Sequence, residues 1–191
     1  MSEHWLTVVT GLPASGKSTV GELLSREPGL ALIDKDTILE ALFDSLGCPD
    51  PEARTRLSRA SDEVLFSLAA SSVNPVLVNW WHHDTAPSRL LAITPTIVEV
   101  FCDCPVEVAA ARFEARDRHP GHHDRRRSPA EIEEGIRRAR EAFPGPLDLG
   151  GPLIRVDTSG DLDADGIVSQ VRECVPIAQD RPRGVDVQDR V

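Results

Sequence analysis

The stretch TGLPASGKST, residues 10–19, decides how the rest of the chain is interpreted. Its two glycines, lysine and serine satisfy the phosphate-loop pattern G-x-x-x-x-G-K-[ST]. The pattern is informative when it joins a strand to a helix, and here an apolar run, residues 5–9, precedes it while apolar residues at helical spacing follow it. The alternative is a glycine-containing turn with a solvated lysine, which would need neither a strand before it nor a helix after it. The sequence therefore predicts a strand, a phosphate-binding loop and a helix in that order.

Each part of this loop suits a phosphate group. Gly11 and Gly16 allow the backbone to fold around an anion without an interfering Cβ, and the loop N–H groups with the helix amino end supply partial positive charge. We expect Lys17 to reach the terminal phosphates of a nucleotide and the Ser18 hydroxyl to join a Mg²⁺ shell. The predicted nucleotide contacts are Gly11, Ala14, Ser15, Gly16, Lys17, Ser18 and Thr19.

Composition limits the class of protein. The 191 residues, 40% of them hydrophobic, are enough for one globular domain. The net charge of −10 argues against general nucleic-acid binding, which depends on Lys and Arg at phosphates. Four cysteines without a C-x-x-C pair indicate a reducing compartment. Without a signal peptide or a transmembrane-length apolar run, we expect a cytoplasmic protein with no membrane partner.

Apolar strand-like runs alternate with helix-like segments, which predicts an α/β fold with a parallel sheet covered by helices. The predicted strands are residues 5–9, 30–33, 76–78, 96–101 and 153–156. Helices are expected after the loop, around residues 38–46, over 52–72, from Pro105, and over 164–174. Ser128 and Glu131 form a capping box with Pro129 at the first helical position, so another helix begins there. The polar tail, residues 179–191, is expected to be disordered.

Two aspartates follow the second predicted strand. Ligands of open parallel sheets bind at the carboxyl ends of the strands, so Asp34 and Asp36 are expected to face the phosphate crevice. Transfer of a phosphoryl group to a hydroxyl needs a carboxylate that takes or orients the acceptor proton, and Asp36 is our candidate. Asp34 either orders magnesium-bound water or ends its strand. The alternative for Asp36 is a helix N-cap, but Thr37 and Glu40 form a capping box that could do this instead.

Three motifs, GLPASGKST, LIDKDTILEAL and RDRHPGHHD, resemble the P-loop kinases of small molecules, a group that includes relatives of chloramphenicol phosphotransferase, zeta toxin and the kinase half of polynucleotide kinase. The resemblance covers roughly residues 5–175. It implies an AAA-type, three-layer kinase fold with five parallel strands in the order 2-3-1-4-5, ATP with Mg²⁺, a strand-two aspartate as base, and an arginine-bearing lid. On this basis residues 1–178 form the kinase domain, with the lid at about 117–130. Asp36 takes the base position and, with Ser18, holds Mg²⁺ partly through water.

Two positions depart from that group. Many relatives carry an acid at the end of the third strand, where this chain has Asn79, so the magnesium shell is expected to depend more on Ser18, Asp34 and Asp36. Polynucleotide kinases place an arginine three residues after the base, where this chain has Leu39. The second departure disfavours the nucleic-acid variant.

Arginines late in the chain are candidates for contacts with the triphosphate. Arg112 and Arg116 lie four residues apart on a predicted helix and share a face. We expect both to stabilise charge during phosphoryl transfer. The alternative is an ordinary solvated helix surface and loop. Arg118 follows the helix, and Arg125, Arg126 and Arg127 could be solvent charge.

The run NWWHHD, residues 79–84, is the most informative stretch for the acceptor. Neighbouring strand residues face opposite ways, so the two tryptophans cannot both enter one core layer. We expect at least one ring to stack on a flat or sugar-like acceptor, although two core tryptophans are the alternative. The predicted acceptor contacts are Asp34, Asn79, Trp80, Trp81 and His82. A zinc site built from the histidines is disfavoured, because no acidic or thiol spacing completes it.

The sequence thus predicts an ATP-dependent kinase that transfers the γ-phosphoryl group to a hydroxyl of a small molecule such as a sugar, a nucleoside or an antibiotic. Two alternatives stay open: a polynucleotide 5′-hydroxyl kinase, and a nucleotide-binding regulatory module without transfer chemistry. The sequence identifies neither the acceptor nor the oligomeric state.

Overall fold

Five apolar segments pair in parallel into one sheet in the order β2-β3-β1-β4-β5, as predicted. The computed structural model describes residues 4–124, 128–143 and 145–175. The predicted tail, residues 179–191, and the arginines at 125–127 lie outside the described residues. The strands are β1 (Leu6–Gly11), β2 (Ala31–Asp34), β3 (Pro75–Val78), β4 (Ile97–Asp103) and β5 (Leu153–Asp157).

Helices connect the strands and cover both faces of the sheet. They are α1 (Lys17–Leu24), α2 (Lys35–Leu46), α3 (Pro51–Ser71), α4 (Ala86–Leu91), α5 (Val106–Ala115), α6 (Pro129–Ala142) and α7 (Ala164–Cys174). The capping box predicted for α6 is confirmed: the Ser128 hydroxyl accepts from the Glu131 N–H, and the Glu131 carboxylate accepts from the Ser128 N–H. The short helix α4 was not predicted.

Alternation along the central strands divides the core into two layers. On β1, Val9 packs in a cluster with α1 and α7, while Leu6 and Val8 pack in a second cluster with α3 and α4. Because the central strands are buried on both faces, they read as nearly continuous apolar runs. Polar side chains such as Asp34 and Asn79 come at the carboxyl ends of β2 and β3, where the loops begin.

Two predicted local details are wrong. Helix α2 begins at Lys35, because the Asp34 carboxylate accepts from the Asp36 N–H at 2.8 Å and caps the helix ahead of the expected box at Thr37. Helix α5 ends at Ala115, and Arg116 has an extended backbone with φ −74° and ψ 137°. Arg116 therefore does not share a helical face with Arg112.

Within the described ranges, every helix is too short or too polar to cross a membrane.

Candidate active site

A cavity of about 1050 Å³ opens at the carboxyl edge of the sheet. The phosphate loop and α1 form its floor, α2, α3 and the end of β3 form one side, and α5 with residues 116–124 forms another. Residues 158–164, which follow β5, complete it. Five of the seven predicted nucleotide residues line the cavity, while Gly11 and Ser15 do not. Four of the five predicted acceptor residues line it, all except Trp81.

The loop backbone is shaped as the glycine pattern predicts. Gly11 has φ 137°, and a Cβ there would stand 2.6 Å from the carbonyl oxygen of Cys102, so no larger residue fits. Gly16 has φ 89° and precedes α1 without a side chain to cap it. The first N–H groups of α1 consequently remain open to an anion, which the helix dipole also favours.

Lys17 lies buried behind the loop with 9% of its surface exposed. Its Nζ donates to the carbonyl oxygens of Gly11, at 3.1 Å, and Leu12, at 2.6 Å. Burial lowers the pKa of Lys17 from 10.5 to about 8. At neutral pH the loop therefore holds a buried cation whose hydrogen bonds, within the described ranges, go to carbonyl oxygens and not to a carboxylate, as a phosphate-binding site requires.

Ser18 and Asp34 form the junction between the loop and β2. The Ser18 hydroxyl donates to Asp34 Oδ2 at 2.7 Å, and the other Asp34 oxygen caps α2. Burial raises the pKa of Asp34, against the two hydrogen bonds that lower it. Of the two aspartates that the sequence analysis grouped with Ser18 around the metal, Asp34 is the one that the Ser18 hydroxyl contacts directly.

Asp36 lies in the same cavity and is paired with Arg118, which also donates to Asp124 at 2.9 Å. Burial tends to raise the pKa of Asp36, but the charges of Arg118, His122 and Arg116 outweigh it and hold the pKa below its ordinary value. The Asp36 side chain is still 45% exposed. It is therefore an ionised carboxylate that a ligand in the cavity can reach.

Residues 116–124 lie along α2, a placement that sequence reasoning did not find. His122 Nε2 lies 2.9 Å from Glu40 Oε1, and His119 Nε2 lies 3.1 Å from Asp44 Oδ1. With Asp36, these acids recur every fourth residue and so form one acidic face of α2. The acidic charge of that face and the basic charge of the run RDRHPGHH are complementary, and this was the signal in the sequence from which their contact could have been predicted. Among the described residues, no three His, Cys, Asp or Glu side chains group as a metal site.

Arg112 and Arg116 both line the cavity, although Arg112 lies within α5 and Arg116 follows its end. Arg112 donates to the carbonyl oxygens of Thr158, at 2.6 Å, and Ser159, at 3.2 Å, and so ties α5 to the segment after β5. The Arg116 guanidinium lies 4.0 Å above the Phe113 ring. Burial lowers its pKa to about 10, so it remains charged at neutral pH.

The predicted acceptor residues after β3 separate into two groups. Asn79, Trp80 and His82 line the cavity. Trp81 does not: it is 4% exposed, donates from Nε1 to the carbonyl oxygen of Val9 at 2.8 Å, and packs in the core. The alternation of an extended chain, which sends one of two neighbouring rings inward, explains the difference.

Asn79 is held by a helix that sequence reasoning did not include in the site. Its Nδ2 donates to Asp62 Oδ1 at 3.0 Å, and Lys35 Nζ lies 2.7 Å from Asp62 Oδ2. Asp62 belongs to α3. Because a carboxylate only accepts, the Asn79 amide nitrogen must face Asp62. The Asn79 Oδ1 is then buried with no partner in the described part of the chain.

Comparison with known proteins identifies a family and a fold for this chain. The model of a family described as AAA domain matches residues 6–142. A candidate kinase from Chloroflexus aurantiacus J-10-fl is 31% identical over 90% of this chain and 98% of its own, with a TM-score of 0.77. A shikimate kinase from Bacteroides thetaiotaomicron is 19% identical over 88% of this chain and 96% of its own, with a TM-score of 0.60, which shows a shared fold. The chain has the P-loop kinase fold.

A curated relative matches over a shorter region. The adenylyl-sulfate kinase of Thermodesulfovibrio yellowstonii is 31% identical over 109 residues, which cover 54% of this chain and 54% of that kinase. The chain therefore spans about half the length of this relative.

Proposed function

This chain belongs to the AAA domain family, and from that premise we propose that it is an ATP-dependent kinase whose acceptor is a hydroxyl of a small molecule. One observation carries the proposal: Lys17 and Ser18 of the phosphate loop line the same cavity as Asp34 and Asp36. A phosphate-binding loop alone indicates nucleotide binding. A reachable, ionised carboxylate across the cavity adds what transfer to a hydroxyl needs.

The cavity divides into a nucleotide end and an acceptor end. The phosphate loop lies on the central strand β1, and residues 158–164 follow β5 at one edge of the sheet. Helices α2 and α3 follow β2 at the other edge. We place the triphosphate over the loop and the acceptor between α2, α3 and residues 116–124, which form the described part of the proposed lid at about 117–130.

The residues beside the loop fit Mg²⁺. The Ser18 hydroxyl and the Asp34 carboxylate already lie 2.7 Å apart, Asp36 follows in the first turn of α2, and the buried Asn79 Oδ1 lacks a donor. These are the hard oxygen ligands that Mg²⁺ prefers, either directly or through water. When bound, the ion neutralises charge on the β- and γ-phosphates.

In the proposed reaction, the acceptor oxygen forms a bond to the γ-phosphorus as the bond from that phosphorus to the ADP oxygen breaks. Asp36 orients the acceptor hydroxyl and receives its proton as the new bond forms. Lys17 holds the terminal phosphates, and Arg112 and Arg116 stabilise the charge that spreads over the transferred group. The lowered pKa of Asp36 keeps it ionised, so it acts mainly by orientation until transfer is advanced.

Acceptor contacts are proposed for Asn79, Trp80 and His82, which line the cavity, and for Asp34. Trp80 offers an aromatic surface, and its ring also contacts Phe143 edge to face. Trp81 is left out because it packs in the core.

The test is transfer from labelled ATP to a library of hydroxylated metabolites and antibiotics, detected as a mass gain of one phosphate. Removal of one preorganised contact typically costs about a hundred- to a thousandfold in rate. We expect that loss in Asp36→Asn with nucleotide binding retained, and in Lys17→Ala with binding impaired. Asp165 is an exposed aspartate in the first turn of α7, so Asp165→Asn is the matched control. Near-normal turnover in Asp36→Asn removes it as the base.

The finer placement beside chloramphenicol phosphotransferase, zeta toxin and polynucleotide kinase is also a proposal, supported by the three shared motifs. The net charge of −10 and the buried Leu39 in the cavity wall favour a small acceptor over a nucleic acid. A 5′-hydroxyl oligonucleotide in the same assay tests the polynucleotide variant. Binding of ATP with slow hydrolysis that no acceptor stimulates would instead favour a regulatory module.

A further inference from the structure

Helix α3 presents a row of polar side chains that the phosphate-loop chemistry does not use. Arg54, Ser58 and Asp62 are spaced four residues apart and so lie on one face of the helix. Arg54 and Ser58 line the cavity, and Asp62 binds Asn79 and Lys35, which line it too. Farther along α3 the inward residues are apolar and buried in the core. The amino-terminal half of α3 is therefore a polar wall of the cavity.

Arg54 is the member of this row without a counter-charge. Its Nε is buried and has no hydrogen-bond partner, and no ion pair among residues 4–124, 128–143 and 145–175 includes it. The neighbouring cations differ, because Lys35 pairs with Asp62 and Arg118 pairs with Asp36. A half-buried guanidinium without an acceptor is unfavourable unless a ligand supplies one, and its planar fork matches a carboxylate or a phosphate.

The position of Arg54 separates it from the nucleotide. Helix α3 packs beside α2 at the β2 edge of the sheet, whereas residues 158–164 complete the nucleotide end beyond β5, at the opposite edge. Along the helix axis, Arg54 lies about 12 Å from Asp62. Because Asp36 and Arg54 line the same cavity, a molecule bound between α2 and α3 can contact both without entering the phosphate loop.

We propose that the acceptor is an anion: a hydroxylated small molecule whose carboxylate or phosphate ester pairs with Arg54 while its free hydroxyl faces Asp36. Ser58, one turn along α3, adds a hydroxyl donor to the same group. This inference rests on the proposed kinase function and names its substrate class. The anionic group is only recognised and is unchanged by the reaction.

Sets of acceptors that differ only in the anionic group test it: glycerol with glycerate and glycerol 3-phosphate, and glucose with glucuronate and glucose 6-phosphate. Wild type is expected to favour one anionic form over its neutral partner by about ten- to a hundredfold in kcat/KM. Arg54→Gln should abolish that preference through the acceptor KM and leave the KM for ATP unchanged, and Arg54→Lys should restore part of it. Whether the carboxylates or the phosphate esters are preferred identifies the anion.

Arg56 is the matched control, because it is an exposed arginine of the same helix that pairs with Glu52 on the solvent side. Arg56→Gln should behave as wild type. A binding experiment separates this inference from the function it rests on: the same anions are titrated by calorimetry against protein saturated with magnesium and a non-hydrolysable ATP analogue. Anion binding that Arg54→Gln abolishes supports the inference even where no compound is phosphorylated. Equal use of neutral and anionic partners, or anion binding that is absent or unchanged in Arg54→Gln, overturns it.

Discussion

Replacement of Lys17 by methionine should stabilise the nucleotide-free protein while it removes nucleotide binding. Burial lowers the pKa of Lys17 from 10.5 to about 8. That difference corresponds to about 3 kcal/mol in favour of the neutral amine. At pH 7 the lysine is charged in both the folded and the unfolded chain, so the folded state carries this penalty in full. Methionine keeps the apolar stem and removes the charge.

The gain will be smaller than that figure. The substitution also leaves the carbonyl oxygens of Gly11 and Leu12 without their donor, and each lost hydrogen bond costs about 1 kcal/mol. We therefore expect Lys17→Met to raise the free energy of unfolding at pH 7 by about 1–2 kcal/mol, or about 2–8 °C in Tm for a domain of this size. The wild type is less stable because it keeps a buried, charged Lys17 that serves ligand binding rather than folding.

The dependence on pH identifies the cause. Between about 8 and 10.5 the unfolded chain holds a proton on Lys17 that the folded chain has lost, so the stability of the wild type rises with pH in that window. Lys17→Met lacks this rise of about 1.4 kcal/mol per pH unit, so its advantage should vanish near pH 9 and change sign by pH 10. Cys102 acts oppositely, because burial raises its pKa to about 12 and so lowers stability above pH 9 in both proteins. The charge of Lys17 lowers the pKa of Cys102, so the comparison is made at pH 7–10, below the folded pKa of Cys102.

Urea unfolding followed by circular dichroism at pH 7, 8, 9 and 10 measures this difference, and calorimetry with ATP measures the loss of binding. Lys35 is the other lysine of the chain and serves as the contrast, since it pairs with Asp62 at 2.7 Å. Lys35→Met leaves that carboxylate without its cation and should destabilise. A Lys17→Met protein that is less stable than wild type at pH 7, by an amount that does not vary with pH, refutes the reasoning.

Two further predictions concern residues 116–124. Arg118→Gln removes a charge that lowers the pKa of Asp36, so that pKa should rise under the effect of burial. The acid limb of the pH profile of kcat should then move to higher pH. An unmoved limb would show that Arg118 does not control the ionisation of Asp36. In Gly121→Ala the new Cβ overlaps the Phe43 ring on α2, so thermal unfolding should show a loss of about 1–3 kcal/mol and the acceptor KM should rise. Gly135→Ala, which meets nothing within 4 Å, should be neutral or slightly stabilising; equal effects of the two alanines would contradict the contact.

The fold could be predicted where a local pattern controls the structure. The glycine loop between an apolar run and a helical repeat predicted β1, the loop and α1, and the capping box at Ser128 predicted the start of α6. Helix α4 has six residues, fewer than two turns, so no helical period could be read from it. The end of α5 was missed because Ala115 and Arg116 carry no stop signal such as glycine.

The candidate site could be predicted only in its contiguous parts. The phosphate loop and the two aspartates at the junction of β2 and α2 lie within short stretches whose chemistry is evident from spacing. The pair of Asp36 with Arg118 joins residues that are 82 positions apart, and that of Asn79 with Asp62 joins α3 to the residue after β3. Such contacts depend on how helices pack at the sheet edge, which periodicity does not specify. The acidic face of α2 indicated a basic partner without identifying Arg118.

The position of Asp62 explains why residue 79 is an amide and not a carboxylate. A carboxylate there would face Asp62 and add a further negative charge to a cavity wall that already holds Asp34 and Asp36, and like charges at that spacing repel. Asn79 donates to Asp62 instead and adds no charge, so Asp62 stays satisfied by one cation and one amide. The wall beside Arg54 thereby gains no negative charge, which an anionic acceptor requires. The missing acid and the unpaired arginine, 25 residues apart in the sequence, therefore point to the same kind of ligand.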